Sequence, residues 1–442
     1  MAQVYDNYKY EPFANETFRH MPSADGVSTM VASNYLLGDV SGKIEWTQQP
    51  DKARNTFIHL SAYEHFIDEQ QLLLLGRTGS GKSAIIYGLK DDIQNGIIDN
   101  YSDVIQIDEK EFCEKLAEMC YGIDINRFDA TNKIMSAVVM AIYTKVMLYC
   151  CETFKDGRNK LRYTTKYLLS NKFITVKAKS LTDILLQLSS DDYEQHIKAL
   201  YDSNVISTAF GVARLLSKTR EIIAADDDIA GNMDDYKKAL DELTAFLVSN
   251  RKRILVLLDS FEEYKINDKA FVIATKALIL ACFQIFCNSV QNCIFFKMAL
   301  ASEIYTRVLT HLPAQSQTNT VVILWSYKEL IRCMALRFVS WYHDPLAKHQ
   351  DKRHLFSFLQ NYKVSDLRDS RTAYEIAEQI FFNIIPRICK TNSDYKYLSL
   401  AFISRHTMKK PREILQIFNA ILDRIIYENN GAYFLEEKMH LL

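Results

Sequence analysis

Proline and glycine are scarce in this chain, seven and 13 in 442 residues. So few chain breakers exclude a loop-dominated protein and favour long helices with short connections. The nine cysteines form no C-x-x-C pair, and Cys150 and Cys151 are adjacent on an apolar helical run. That scatter excludes a disulfide framework and reads as reduced core thiols of a cytoplasmic protein. The ten histidines show no H-x-x-x-H or H-E-x-x-H arrangement, which removes the zincin type of metal centre. His59 and His65 read as surface or packing residues. A net charge of −1 supplies no long-range attraction to nucleic acid or anionic membrane. The N-terminus, Met1-Ala2-Gln3-Val4-Tyr5-Asp6, has neither the basic nor the apolar region of a secretion signal. The most apolar helix, near Ala277 to Cys287, is bounded by Lys276 and interrupted by Gln284, too short to span a bilayer. No membrane segment is expected.

What is present is ordinary in bulk and specific in one place. Apolar residues at 48% and charged residues at 24% are globular proportions, and the length suggests two or three packed units. Three of the 13 glycines fall between Gly76 and Gly81. There Leu72-Leu73-Leu74-Leu75 runs into Gly76-Arg77-Thr78-Gly79-Ser80-Gly81-Lys82-Ser83, followed by the helical pattern Ala84-Ile85-Ile86-Tyr87-Gly88-Leu89-Lys90. Strand, G-x-x-x-x-G-K-S and helix in that order make a phosphate loop. Its glycines let successive N–H groups curl around phosphates, and the helix aims its positive end at the same anion. Lys82 is expected on the β- and γ-phosphates and Ser83 on Mg²⁺.

The rest of the chain supplies the frame for that loop. Residues 1–60 read as an N-terminal extension leading to the core, in a position to lie over the nucleotide pocket. Residues 61–310 read as the nucleotide-binding core, with a helical insertion at about 129–250, and residues 311–442 as a C-terminal helical lid. Strand character recurs at Val104–Asp108, Ile254–Leu258, Ile294–Leu300 and Val321–Leu324, with a long apolar helix over Phe271–Asn288. Apolar strands alternating with helices predict an α/β fold, a parallel sheet covered by helices. From about Ser326 the pattern reads as helical to the end.

The run Ile254-Leu255-Val256-Leu257-Leu258-Asp259 ends in an acid, the form of a Walker B strand. A carboxylate at the C-terminal end of a core strand sits beside the phosphate loop and can hold Mg²⁺ through water. Glu262 or Glu263, about one turn beyond, is the candidate base that orients and deprotonates water. In these motifs the chain resembles the AAA+/STAND group of P-loop ATPases. Asp259-Ser260-Phe261-Glu262-Glu263 looks like the STAND form of Walker B; it departs from the AAA+ form, in which Glu directly follows the Asp. Leu324-Trp325-Ser326-Tyr327-Lys328-Glu329-Leu330-Ile331, followed by Arg337, is similar to the segment that opens the helical lid. Lys410-Pro411-Arg412-Glu413-Ile414-Leu415 is similar to the sensor-2 helix start, which implies that Arg412 reaches the γ-phosphate. Ser302 takes the place of a sensor-1 polar residue. The resemblance covers about residues 70–425 apart from the insertion, and implies an ATP- and Mg²⁺-dependent switch or motor, of the kind that serves in bacterial defence, signalling or DNA transactions. It also implies a protein partner or self-assembly, with Arg307, Arg332 and Arg337 as candidates for an arginine finger.

Competing classes fail on missing motifs. Asp259 is not followed by the D-x-x-G of a GTPase, no N-K-x-D guanine reader exists, and no L-S-G-G-Q segment is present. ATP is therefore the expected nucleotide. Outside the core, eight Lys/Arg lie between Lys155 and Lys179 against the single Asp156, interleaved with Tyr163, Tyr167 and Phe173. Basic residues with aromatics can track a phosphate backbone and stack bases, so nucleic acid is a candidate partner. The segment Glu221–Glu242 is acidic, with Asp226-Asp227-Asp228 and Asp234-Asp235; the two charged pieces can equally face solvent or each other.

Overall fold

The computed structural model describes residues 36–427 apart from 40, 108–109, 121–127, 155–156, 172, 174–179, 189–226, 260–267, 288–292, 310–311, 313–318, 346, 348–349, 369–371 and 391–395. Short segments rich in apolar and β-branched residues become strands β1 (Leu73–Gly76), β2 (Asp103–Ile107), β3 (Ile254–Leu258), β4 (Ile294–Ala301) and β5 (Thr320–Val322). They form one sheet in the order β2-β3-β4-β1-β5, and every neighbouring pair is parallel. Successive side chains on a strand point to opposite faces, and the two cores divide by that alternation. Leu73, Leu75, Val256 and Leu258 belong to one cluster, and Leu74, Leu255 and Leu257 to the other. A sheet covered on both faces needs apolar residues at consecutive positions, which is why these strands read as unbroken runs.

In chain order the helices before β3 are α1 (Gly42–Gln48), α2 (Pro50–Thr56), α3 (Ser61–Ile67), α4 (Lys82–Gln94), α5 (Lys110–Met119), α6 (Phe128–Thr153), α7 (Gly157–Lys160), α8 (Arg162–Ser170), α9 (Leu181–Leu188) and α10 (Asp227–Ser249). After β3 come α11 (Lys269–Cys287) and α12 (Ser302–Val308), then α13 (Tyr327–His343), α14 (Val364–Arg368), α15 (Ala373–Phe382), α16 (Ser399–His406) and α17 (Pro411–Tyr427). Side chains of α5, α6, α9, α10 and α11 share the first core with one sheet face. Those of α3, α4, α13, α15 and α17 share the second. The expected helical insertion thus lies in the crossover between β2 and β3 and shares the core of the first sheet face. Leu36, Leu37, Ile58 and Leu60, in the stretch read as an N-terminal extension, are buried in the second core.

Two readings of the sequence are corrected. The apolar helix judged too short for a bilayer runs on through Lys276, as α11. Among the described residues, α11 and Ile134–Thr153 are long and apolar enough to cross a membrane, yet 72% and 83% of those windows are buried inside the fold. Their length serves the core. The region after Ser326 is not helical throughout: β6 (Ile388–Lys390) and β7 (Lys396–Leu398) form an antiparallel pair, with Ile388 opposite Leu398. Pro386 cannot donate to a helix, and Ile388 and Tyr397 suit extended backbone. The start of α13, by contrast, is written locally as a capping box. Ser326 Oγ accepts from the Glu329 N–H, and the Glu329 carboxylate accepts from the Ser326 N–H at 2.8 Å.

Lys297 is the anomaly of the core, a lysine 1% exposed in the middle of β4. Its ammonium donates to the carbonyls of Asp68 and Gln71 at 2.6 and 2.7 Å, just beyond α3, and lies 4.9 Å from the Phe66 ring centre. Burial nevertheless pushes its pKa down from 10.5 to about 7. The unfolded chain therefore holds this proton at pH values where the folded chain has released it, so stability rises with pH above about 7. The gain should be about 1–2 kcal/mol between about pH 7 and about pH 8.5. Beyond that, the buried thiols, such as Cys120 with its pKa pushed up to about 12, act in the opposite sense. Urea unfolding across this window should show the rise in the wild type and lose it in Lys297→Met. An equal slope in both proteins would refute the assignment.

Candidate functional site

The motif Gly76–Ser83 occupies the end of β1, a tight loop and the first turn of α4. Gly79 and Gly81 have φ of +76° and +93°, a left-handed conformation that side chains with a Cβ resist. A Cβ on Gly79 would also lie 3.0 Å from Arg412 Cβ. Glycine is thus required there twice, for the turn and for the approach of α17. Lys82 Nζ donates to the Gly76 and Arg77 carbonyls at 2.9 and 3.1 Å, which holds the ammonium across the loop. The positive end of the α4 helix dipole has no acid in its own first turn and no side-chain cap from Gly81.

The loop opens into a cavity of ≈ 570 Å³, within the range of small-molecule sites, about 300–1,000 Å³. Thr78, Gly79, Gly81, Lys82 and Ser83 line it. Gly76, Arg77 and Ser80 do not: Arg77 turns outward to Glu303 at 3.4 Å, and Ser80 is buried beneath the loop. Asp259, 3% exposed at the end of β3, lines the cavity, its backbone N–H bonded to the Ile107 carbonyl at 3.2 Å. The carboxyl ends of β1, β3 and β4 thus converge on one place, where open α/β sheets take ligands. Ser83 and Asp259 bring a hydroxyl and a carboxylate to the same cavity, an oxygen donor pair suited to a hard divalent cation that keeps several waters.

The C-terminal helices close the second wall. The Arg412 N–H donates to the Gly79 carbonyl at 3.3 Å, and Pro411, Arg412 and Leu415 line the cavity. The turn that delivers α17 there is strained, because Met408 and Lys409 have φ of +48° and +56°. Non-glycine residues in that region cost about 1–3 kcal/mol each, a form of strain that collects at functional sites. Trp325 Nε1 donates to the Ser80 carbonyl at 2.7 Å, tying the end of β5 to the loop. Residues 36–60 supply the third wall, through Gly42, Glu45, Trp46, Phe57 and Ile58.

Several expected residues sit elsewhere. Ser302 bonds Glu303 through its hydroxyl at 3.2 Å, and Ala301, not Ser302, lines the cavity. Glu262 and Glu263 lie outside the described residues. Of the three finger candidates, Arg337 pairs with Glu45, Arg332 donates to the carbonyls of Leu367 and Arg368, and Arg307 is exposed on α12. Much of Lys155–Lys179 is likewise outside the described residues. Of its aromatics, Tyr167 and Phe173 are buried and in ring contact, while Tyr163 is exposed. Lys166 faces Asp235 at 3.6 Å, and Thr164 donates to Glu242, so α8 and α10 meet through one ion pair and a neutral-to-carboxylate bond beside their shared apolar core.

Sequence reading missed Trp46 and Glu45, and it named Trp325 and Arg337 only in the lid-opening segment and as a finger candidate, not as walls of this cavity. Composition carried one signal: the chain has three tryptophans, and two of them line this cavity. The chain matches no protein-family model, no curated protein and no solved structure.

Proposed function

We propose that this chain is an ATP-binding and ATP-hydrolysing P-loop protein of the AAA+/STAND type, a nucleotide-driven switch. The observation that carries the reading is the meeting, around one cavity, of the Gly76–Ser83 loop, Asp259 from β3 and Arg412 from α17. Three elements distant in sequence bring an anion cradle, a carboxylate and a cation to one place. In this reading the triphosphate lies along Gly79–Ser83, with Lys82 on the β- and γ-phosphates. Ser83 and Asp259 hold Mg²⁺, which neutralises phosphate charge when bound. The adenosine end extends toward Trp46, Phe57, Ile58 and Met334, which belong to the apolar lining of the cavity.

Hydrolysis on this site transfers the γ-phosphoryl group to water. The water oxygen bonds to the γ-phosphorus, the bond from phosphorus to the β,γ-bridging oxygen breaks, and Glu262 or Glu263 takes the water proton. Arg412 stabilises the charge that develops on the γ-phosphate oxygens. Its backbone already contacts the loop, so loss of the γ-phosphate changes what holds α17 in place. That is the proposed switch, a shift of the lid when differential contacts disappear.

Trp325 acts on this account as a positioning residue. Trp325→Phe keeps an aromatic ring, though a smaller one, and removes the hydrogen bond to the loop, and should weaken ATP binding about three- to tenfold. Fluorescence titration with a labelled ATP analogue measures it, and unchanged affinity would show that the bond does not organise the loop.

The reading as a whole is tested by steady-state ATP turnover of the purified protein, with and without single- and double-stranded DNA and RNA. Magnesium-dependent turnover supports the ATPase, and its absence under all conditions refutes hydrolysis. Stimulation by nucleic acid would make the Lys155–Lys179 surface a functional one, and indifference would direct the search to protein partners or self-assembly.

A further inference from the structure

The cavity wall contains a buried ion pair that the phosphate chemistry does not use. Glu45 on α1 and Arg337 on α13 line the cavity, with side chains only 3% and 14% exposed. They meet through two parallel bonds of 2.6 Å, and Arg337 Nη1 also donates to the Leu37 carbonyl at 3.0 Å. Beside them Asn419 of α17 accepts from the Leu37 N–H at 2.9 Å and donates to the Gly38 carbonyl at 3.4 Å. The start of this segment is thus held by two lid helices at once. The segment also packs against the phosphate-loop helix: Gly42 is so close to α4 that a Cβ there would lie 3.1 Å from Ala84 Cβ.

A buried ion pair is poor evidence for stability, since apolar residues of the same volume hold helices together as well. What a bidentate carboxylate–guanidinium pair supplies is orientation. Here it fixes α1 to α13 at the place where α1 becomes a wall of the cavity. The same helix α17 that carries Arg412 on the loop carries Asn419 on Leu37, about 11 Å along the helix axis. Loop, lid and N-terminal segment are therefore joined in one closed circuit of contacts.

We propose that Glu45–Arg337, supported by Asn419, is a clasp that seats residues 36–57 over the nucleotide, so that nucleotide affinity depends on the clasp. By linkage the nucleotide must in turn stabilise the seated segment. The proposal rests on the nucleotide reading above. Glu45 and Arg337 are positioning residues, acting by holding the wall.

Two measurements test it. Arg337→Lys keeps the charge but not the paired donors, and should raise the dissociation constant for MgATP about tenfold while turnover at saturating ATP changes less than about twofold. Hydrogen exchange on the wild type needs no variant to fold: MgATP should slow exchange across residues 36–57 relative to peptides of β3. Unchanged affinity in a folded Arg337→Lys protein, or exchange at residues 36–57 indifferent to MgATP, overturns the clasp alone. A wild type that does not bind MgATP overturns the nucleotide reading and the clasp with it.

Discussion

A Lys82→Ala protein should bind MgATP at least about a hundredfold more weakly than the wild type while melting within a few degrees of it. The reasoning starts from what Lys82 touches. Its ammonium spans the Gly76 and Arg77 carbonyls across the loop, and it lines the cavity. Arg77 is exposed, so water can take the lysine's place at its carbonyl; only the carbonyl of the buried Gly76 is deprived of this donor, while the site loses a positive charge. The fold survives and the anion loses its principal side-chain partner. Equilibrium binding together with a melting curve distinguishes this from general destabilisation. Near-normal affinity in a folded Lys82→Ala protein would remove the phosphate loop from the account.

Asp259→Asn should reduce magnesium-dependent turnover by about two to three orders of magnitude and leave nucleotide binding much less affected. Asparagine reproduces the shape of the carboxyl group and removes its charge. Asp259 is buried at the end of β3, and its backbone N–H makes the last bond to β2, so the substitution leaves that rung intact. The test is turnover over a magnesium titration, read beside ATP affinity. Turnover that persists undiminished would detach Asp259 from metal binding and from the chemistry.

How much of this was written legibly in the chain follows from the range of the interactions. Strands β1 and β3 are short apolar runs, β4 is one broken only by Lys297, and the phosphate loop is a local glycine pattern; all are signals within a dozen residues. Helix α9 begins and ends at Leu181 and Leu188, the bounds of its apolar period. The clasp was illegible for the opposite reason. Nothing near Glu45 in the sequence marks it as buried, because its partner lies 292 positions later. Lys297 likewise finds its carbonyl partners 229 and 226 residues away. Tyr167 and Phe173 could be taken for a nucleic-acid surface because aromatics interleaved with basic residues serve a core equally well, and here these two are buried. The β6–β7 hairpin escaped detection because its strands are three residues each, too short for period-two alternation to register.

The central claim is that the cavity above Gly79–Ser83 binds a nucleoside triphosphate through its phosphates. Calorimetric titration of the wild-type protein with MgATP, MgADP and AMP tests it most directly. Saturable MgATP binding with a dissociation constant in roughly the micromolar range, clearly tighter than that of AMP, is the expected result. Heat no greater than that of dilution for MgATP at about millimolar concentration, or AMP bound as tightly as MgATP, would contradict the account.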